Sequence, residues 1–310
     1  MVCVIVVDYK SMDKTLKYIK NLKENLMNVS LINTVIIDNF PESNAQEALK
    51  QQMELEDTFC IDDKEVLLFK TNGGTLCYCK NSENAGYAKG NNLGIRINNE
   101  IFRDEFMIIS NNDLEFIKPI NWADIQVIFE EHDDIAVVGP QIITPSGKRQ
   151  SPNRKISAYY ALIHQYLFDF KPFKLKGDID YTGDSKYCYR VSGCFMIVRT
   201  RDMLLVDGFD EHTFLYCEEM ILSERLARVN KKMYFLNSIA LLHNHGSTTK
   251  KNQNIMKARD WTYESYIYYF ITYRNVKKYI IRISEVCHRT YVIRSSFRGK
   301  IKSLLKYEQR

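Results

Sequence analysis

The apolar positions in the first two-fifths of the chain fall into short unbroken runs, with stretches of helical period between them. Val2 to Val7 is apolar throughout and stops at Asp8, the pattern of a fully buried strand. After Ser11, a residue suited to cap a helix, Leu16, Ile19, Leu22 and Leu26 recur at helical spacing. "LINTVIIDN" reads as a second strand ending in Asp38-Asn39, and a short helix is predicted around Asn44 to Met53. Residues 65–70 and 75–80 form a predicted hairpin about Asn72-Gly73-Gly74. From Asn84 a glycine-rich loop passes into a helix, and Phe106 to Ile109 is the next strand. Strands alternating with helices imply an α/β fold with a mostly parallel, doubly wound sheet.

The second half has longer intervals. Strands are predicted at 135–143 and 189–199, a turn at 144–151, and an amphipathic helix at 158–170. A loop from Gly208 runs into a helix, two short strands follow between 233 and 243, and the chain reads as helical from about Asn252. The organisation expected is a domain over 1–250, with a nucleotide-type half to about 118 and a substrate half over 119–250. A helical extension over 251–310 follows, with no linker between the halves.

Charge alters this picture only at the end. The chain carries +5, but from Lys277 onward ten Lys/Arg stand against Glu285 and Glu308, a local +8 that leaves the rest at −3. A basic tail on an acidic body argues against a nucleic-acid partner and fits an anionic membrane surface. Eight cysteines without a CxxC pair, and an N-terminal apolar run too short for a signal peptide, predict reduced, buried thiols in a cytoplasmic protein. No stretch approaches the ~18 apolar residues of a membrane span.

The chemistry gathers at strand ends, where open α/β sheets bind ligands. Asp8, Asp38-Asn39, Asn111-Asn112-Asp113 and His243-Asn244-His245 each close a strand, and Glu218-Glu219 opens a helix. Neither GxxxxGK[ST] nor GxGxxG is present. A hard divalent ion is often held by one or two carboxylates, with substrate phosphates and water completing its shell, so Asp113 alone would serve. Adjacent glutamates on a helix point ~100° apart, so one can enter a cleft while the other complements the helix N-terminus. Gly86, Gly90 and Gly94 fit a nucleotide loop or close helix packing equally well.

"NAGYAKGNNLGI", "IISNND", "SGCFMIVR", "GFDEHTFLYCEEMILSERL" and "HNHGST" occur in this order. Together they resemble the signature of GT-A fold glycosyltransferases of inverting family 2, particularly its rhamnosyltransferase-like branch, over residues 2 to about 250. The resemblance implies transfer of a sugar from a nucleotide-sugar donor, UDP- or dTDP-linked, to a glycan or lipid-linked acceptor with Mn²⁺ or Mg²⁺ as cofactor. Such acceptors would place the protein on the inner face of a membrane. Asp8 and Asp38 would lie on the nucleotide side, and Asn84, Gly86, Lys89 and Asn91 would line the nucleotide site. Asn111-Asn112-Asp113 takes the DxD position, with Asp113 as metal ligand and His243 supporting metal or diphosphate. Asp210 would sit near the acceptor, and Glu219 would be the general base, with Glu218 its neighbour. The chain departs from the family pattern in three places: "NND" lacks the first acid, "EE" replaces "ED", and Ile221 stands where another Asp is frequent. A nucleotidyltransferase and a non-catalytic sugar-nucleotide or glycan-binding relative are the alternatives.

Overall fold

The computed structural model describes residues 1–167, 179–244 and 255–307, with the side chains of the last stretch described for 257–295. His245 and the "GST" that follows it lie outside the described residues, as does the end of the helix predicted at 158–170. The elements begin with β1 (Val2–Asp8), α1 (Met12–Asn25), β2 (Leu26–Met27), β3 (Ile32–Asp38), α2 (Ala45–Gln52), β4 (Leu55–Ile61), β5 (Lys64–Thr71), β6 (Gly74–Lys80) and α3 (Gly86–Ile97). Next come β7 (Phe106–Ser110), β8 (Leu114–Phe116), β9 (Ile120–Asn121), α4 (Trp122–Glu131), β10 (Ile135–Ile143), α5 (Gln165–Leu167), β11 (Lys186–Cys188) and β12 (Phe195–Arg199). The rest are α6 (Thr200–Leu205), α7 (Glu218–Arg228), β13 (Lys232–His243), α8 (Ile255–Thr272) and α9 (Lys278–Tyr307).

One sheet takes the order β11-β13-β10-β12-β7-β1-β3-β6-β5-β4, with β8 added on β13. Its centre, β7-β1-β3-β6, is parallel, and β10 and β13 also pair in parallel. β12 runs antiparallel between β7 and β10, and both margins are antiparallel. Alternate residues of β1 enter opposite layers. Val2, Val4 and Val6 pack with α1, α2 and α4, while Cys3 and Ile5 pack with α3, α6 and α7. Burial on both faces is why this strand is an unbroken apolar run rather than an alternating one. Gly90 and Gly94 let α3 lie directly on β1: a Cβ at Gly94 would run into the Ile5 side chain, and one at Gly90 would stand 3.0 Å from Val7.

Three expectations differ from what is observed. β4 is exposed along most of its length, so it lacks the apolar pattern of a strand, and Asp62-Asp63 (φ +49° and +58°) joins it to β5. Two consecutive left-handed residues match the twist of a two-residue hairpin. The two short strands predicted at 233–243 are the single strand β13, whose register on β10 shifts between Ile135 and Val137 and again where it jumps from Leu236 to Ala240. Residues 155–178 group with 253–310 rather than with the rest of the first 250 residues. In that helical unit Tyr166 meets the rings of Tyr263 and Tyr291 edge-on, and its carbonyl accepts from Arg294 at 2.6 Å. All eight cysteines are free thiols, and six of them are buried. Among the described residues no helix is long and apolar enough to cross a membrane.

Candidate active site

β1, β3 and β7 end side by side, with Asp8 in register with Asp38 and Val6 with Ser110. This brings the strand-end residues of the first half to one edge of the sheet. Asp8 is buried there and accepts from the Ser11 N–H (3.1 Å), Ser11 Oγ (2.7 Å), Thr15 Oγ1 (2.5 Å) and Asn112 Nδ2 (3.2 Å). Asn112 Nδ2 also reaches Ser11 Oγ at 2.9 Å and Thr15 Oγ1 at 2.6 Å. Asp8 therefore anchors the start of α1 through Ser11 and Thr15, and Asn112 ties the loop after β7 to the same cluster.

Asp38 is likewise enclosed, accepting from the Phe40 N–H (3.0 Å) and Tyr78 OH (2.8 Å). Asn39 next to it donates to the Gly86 carbonyl (2.9 Å) and accepts from Asn81 (2.7 Å). Gly86 itself has φ +78°, and a Cβ there would collide with the Phe214 carbonyl, so this turn needs glycine. Asn84 Oδ1 accepts the Gly86 N–H at 3.2 Å, while the side chain of Lys89 is exposed. Asn91 is buried, donates to the Tyr87 carbonyl at 2.9 Å, and leaves its Oδ1 without a hydrogen-bond partner. A cleft of about 500 Å³ opens beside Asp8, lined among others by Lys10, Ser11, Phe40, Glu42 and Asn44. The Lys10 ammonium lies 4.5 Å from the centre of the Phe40 ring.

Asp113 and His243 are 130 positions apart, and strand pairing joins them. β8 runs antiparallel to the end of β13, placing His243 opposite Leu114, and the Asn244 N–H donates to the Asp113 carbonyl at 2.9 Å. Asp113 Oδ1 stands 3.1 Å from His243 Nε2, and His243 Nδ1 faces Gln150 Oε1 at 2.8 Å. Gln150 Oε1 can only accept, so Nδ1 carries a proton and Nε2 is the atom turned toward Asp113. Burial works against the imidazolium, but the Asp113 carboxylate and Cys194 outweigh it and lift the His243 pKa to about 10.

The Asp113 carboxylate is a hard ligand of the kind Mn²⁺ or Mg²⁺ takes, and His243 Nε2 would be a second ligand only on giving up the proton it shares with Asp113. Among the described residues no third His, Cys, Asp or Glu completes a metal cage. An ion held by Asp113 would need its further ligands from outside the protein, such as phosphate and water.

The acid pair opens α7 after two consecutive residues in the left-handed region, Tyr216 (φ +77°) and Cys217 (φ +71°). Glu218 turns inward: it is 4% exposed, and its Oε1 has no hydrogen-bond partner. Burial first, and the Glu219 charge second, push its pKa up to about 8. Glu219 is half-buried and accepts the Gly193 N–H at 2.7 Å. A Cβ on Gly193 would stand 2.6 Å from Glu219 Oε1, so this approach needs glycine. The Gly193 carbonyl accepts from Tyr87 OH at 2.6 Å, and the Cys194 carbonyl accepts the Asn111 N–H at 2.9 Å. The turn Ser192–Gly193–Cys194 thus links the Asp113 loop to Glu219.

Asp210 is buried and held to His212, through its N–H at 3.0 Å and its Nδ1 at 2.7 Å. Its loop is clamped by Asn92, which donates to the Phe209 carbonyl and Glu211 Oε1 and accepts the Phe209 N–H, each at 2.8 Å. Sequence reasoning gave no role to Asn92, Gln150 or Gly193. The motif strings contained the first and last of them, but only their partners distant in sequence show what they do.

No family model matches this chain. Over 245 residues it is 25% identical to the low-salt glycan biosynthesis hexosyltransferase Agl10 of Haloferax volcanii, covering 78% of this chain and 66% of that protein. Among solved structures, GalNAc-T7 with UDP, GalNAc and Mn²⁺ superposes with a TM-score of 0.53 at 11% identity, over 86% of this chain and 47% of that one. S. aureus TarS 1–349 in complex with UDP gives 0.49 at 16% identity, over 88% and 73% of the two chains. The chain spans about two thirds of its sequence relative and about half of GalNAc-T7. With its parallel centre, two helical layers and polar strand ends, the chain has a GT-A-like fold.

Proposed function

We propose that this protein is an inverting, metal-assisted glycosyltransferase moving a sugar from a nucleotide-diphospho-sugar to a hydroxyl of a glycan or lipid-linked glycan. The observation that supports the reading is the 192–194 turn, which joins the loop of the hydrogen-bonded Asp113–His243 pair on one side to Glu219, the more exposed of the two acids that open α7, on the other. A bound Mn²⁺ or Mg²⁺ would neutralise charge on the departing diphosphate. Asp113 and His243 would hold it, and the nucleoside of a UDP- or dTDP-sugar would enter the cleft lined by Lys10 and Phe40. Asp38, Asn84 and Lys89 lie near the same edge, and Asp210 would face the acceptor. Glu219, fixed by the Gly193 N–H, would take the acceptor proton as the hydroxyl attacks the anomeric carbon from the opposite face. Glu218 is the poorer base, being enclosed and pushed by burial toward its protonated form. The similarity to a hexosyltransferase over most of the chain supports this reading. Free cysteines fit a reducing, cytoplasmic compartment.

The test is a thermal-shift screen of nucleotide-sugars with and without Mn²⁺, because a ligand that binds the native state raises its melting temperature. A donor that stabilises the protein only with metal, and releases its nucleoside diphosphate when acceptor is added, is the expected result. Donor binding without release for any acceptor would point to a non-catalytic sugar-nucleotide binder. Release of inorganic pyrophosphate from a nucleoside triphosphate would identify a nucleotidyltransferase instead.

A further inference from the structure

Helix α9 presents two different faces. Ser284, Cys287 and Tyr291 are buried within the helical unit. Ser284 Oγ meets Tyr263 OH at 3.0 Å, the His288 ring stacks on Tyr263 at 4.0 Å, and Tyr291 meets Tyr166 edge-on at 5.7 Å. Elsewhere on the same helix Tyr279, Ile283, Val286 and Ile293 are 47–62% exposed. At 3.6 residues per turn these four fall within an arc of roughly 80°, centred roughly 120° from the buried face. Lys278, Arg282 and Arg289, all exposed, form a row roughly 60–100° to the other side of the apolar stripe. Glu285 is the single acid on the described part of this helix.

From this arrangement we infer that α9 is a docking element for an anionic lipid bilayer. Apolar side chains in one stripe can enter the boundary between headgroups and acyl chains, while the flanking lysine and arginines stay level with lipid phosphates. The helix would lie on the surface rather than cross it, since no described helix is apolar enough to span. The charges choose the occupant. A second copy packed antiparallel on the same stripe would set two rows of like charge side by side, whereas a phosphate surface complements the row. The basic excess from Lys277 onward, +8 against −3 for the rest of the chain, would turn this end of the protein toward such a surface. The inference stands apart from the transfer reaction. It would nonetheless bring a sugar transferase to where lipid-linked acceptors are displayed.

The experiment is co-sedimentation of the full chain with vesicles of phosphatidylcholine alone or mixed with phosphatidylglycerol, at low and high salt. Two surface variants are compared with it, Lys278→Gln/Arg282→Gln/Arg289→Gln and Ile283→Asn/Val286→Asn/Ile293→Asn. Both are checked for an unchanged melting temperature, and Mn²⁺-dependent donor binding is read separately. Salt-sensitive binding to the anionic vesicles is expected, weakened about 100-fold by the charge variant and lost in the apolar variant. If the charge variant alone remains folded, its loss of binding carries the test. The inference is overturned if the wild type ignores anionic vesicles, binds both lipids equally, or binds as well after the charges are removed. It is also overturned if light scattering shows a dimer that the apolar variant dissociates while vesicle binding is unchanged.

Discussion

Replacing Glu218 by glutamine separates the two carboxylates that open α7. Glu218 is buried, lacks a partner for one oxygen, and has its pKa raised from 4.5 to about 8. In the unfolded chain the proton leaves near the ordinary value, so unfolding gains stability from ionisation that the folded state resists. For this group the folded state is favoured most below about pH 4.5 and loses stability as pH rises toward 8. At about 1.4 kcal/mol per unit, the loss between about pH 5 and pH 7 is on the order of 2 kcal/mol. Glutamine has nearly the shape of the protonated acid and does not titrate. Glu218→Gln should therefore remove this slope and raise stability at neutral pH. Denaturant or thermal unfolding of both proteins across that range reads the difference. In parallel, Glu219→Gln keeps an oxygen to accept the Gly193 N–H, so it should hold its position and donor affinity while lowering turnover by about 10²–10⁴. The reasoning fails if wild type and Glu218→Gln show the same pH slope, or if Glu218→Gln lowers turnover as much as Glu219→Gln does.

Asp113→Ala should abolish the Mn²⁺-dependent part of nucleoside diphosphate binding while the fold survives; calorimetry showing equal wild-type affinity in EDTA would rule out the metal role. Gln150→Leu leaves Nδ1 of His243 without its acceptor, so metal affinity measured in the presence of UDP should fall about 10–100-fold. An unchanged affinity would mean that Gln150 does not orient the imidazole. Asn92→Asp cannot donate to the Phe209 carbonyl and sets a second acid against Glu211. It should cost about 1–3 kcal/mol of stability, read as a lower melting temperature, and a variant that melts like wild type contradicts the clamp. Gly193→Ala should push Glu219 aside and cut turnover without weakening Mn²⁺ binding; unchanged turnover would remove that contact from the mechanism.

The parallel centre of the sheet was readable because β1, β3 and β7 are buried on both faces, and such burial leaves near-continuous apolar runs, interrupted in β3 by Asn33 and Thr34. β4 was not, since an exposed edge strand has no such imprint. The glycine spacing near residue 90 carried two meanings at once. Gly86 serves a left-handed turn and Gly94 a helix-to-strand contact, and only the positions of Phe214 and Ile5 separate them. For the candidate site residues, the sequence shows polar groups at strand ends but not what those groups bond. Asp8 and Asn112 stand at strand ends like ligand-binding groups, yet their side chains bond one another and the start of α1.

The same limit governs the acid pair, where sequence gives two neighbours and no means of choosing between them. Helix geometry alone says that they diverge; what assigns each its direction is the backbone before them. Tyr216 and Cys217 both have positive φ, which costs non-glycine residues on the order of 1–3 kcal/mol each. The surrounding structure holds them there: Cys217 is buried, and its carbonyl accepts the Ile221 N–H at 2.9 Å, opening α7. The chain enters the helix rotated so that Glu218 meets the core and Glu219 meets Gly193. A glycine at either position would relieve the strain but free the entry angle, and the two carboxylates would lose the difference in environment that buries Glu218 and leaves Glu219 half-exposed against Gly193.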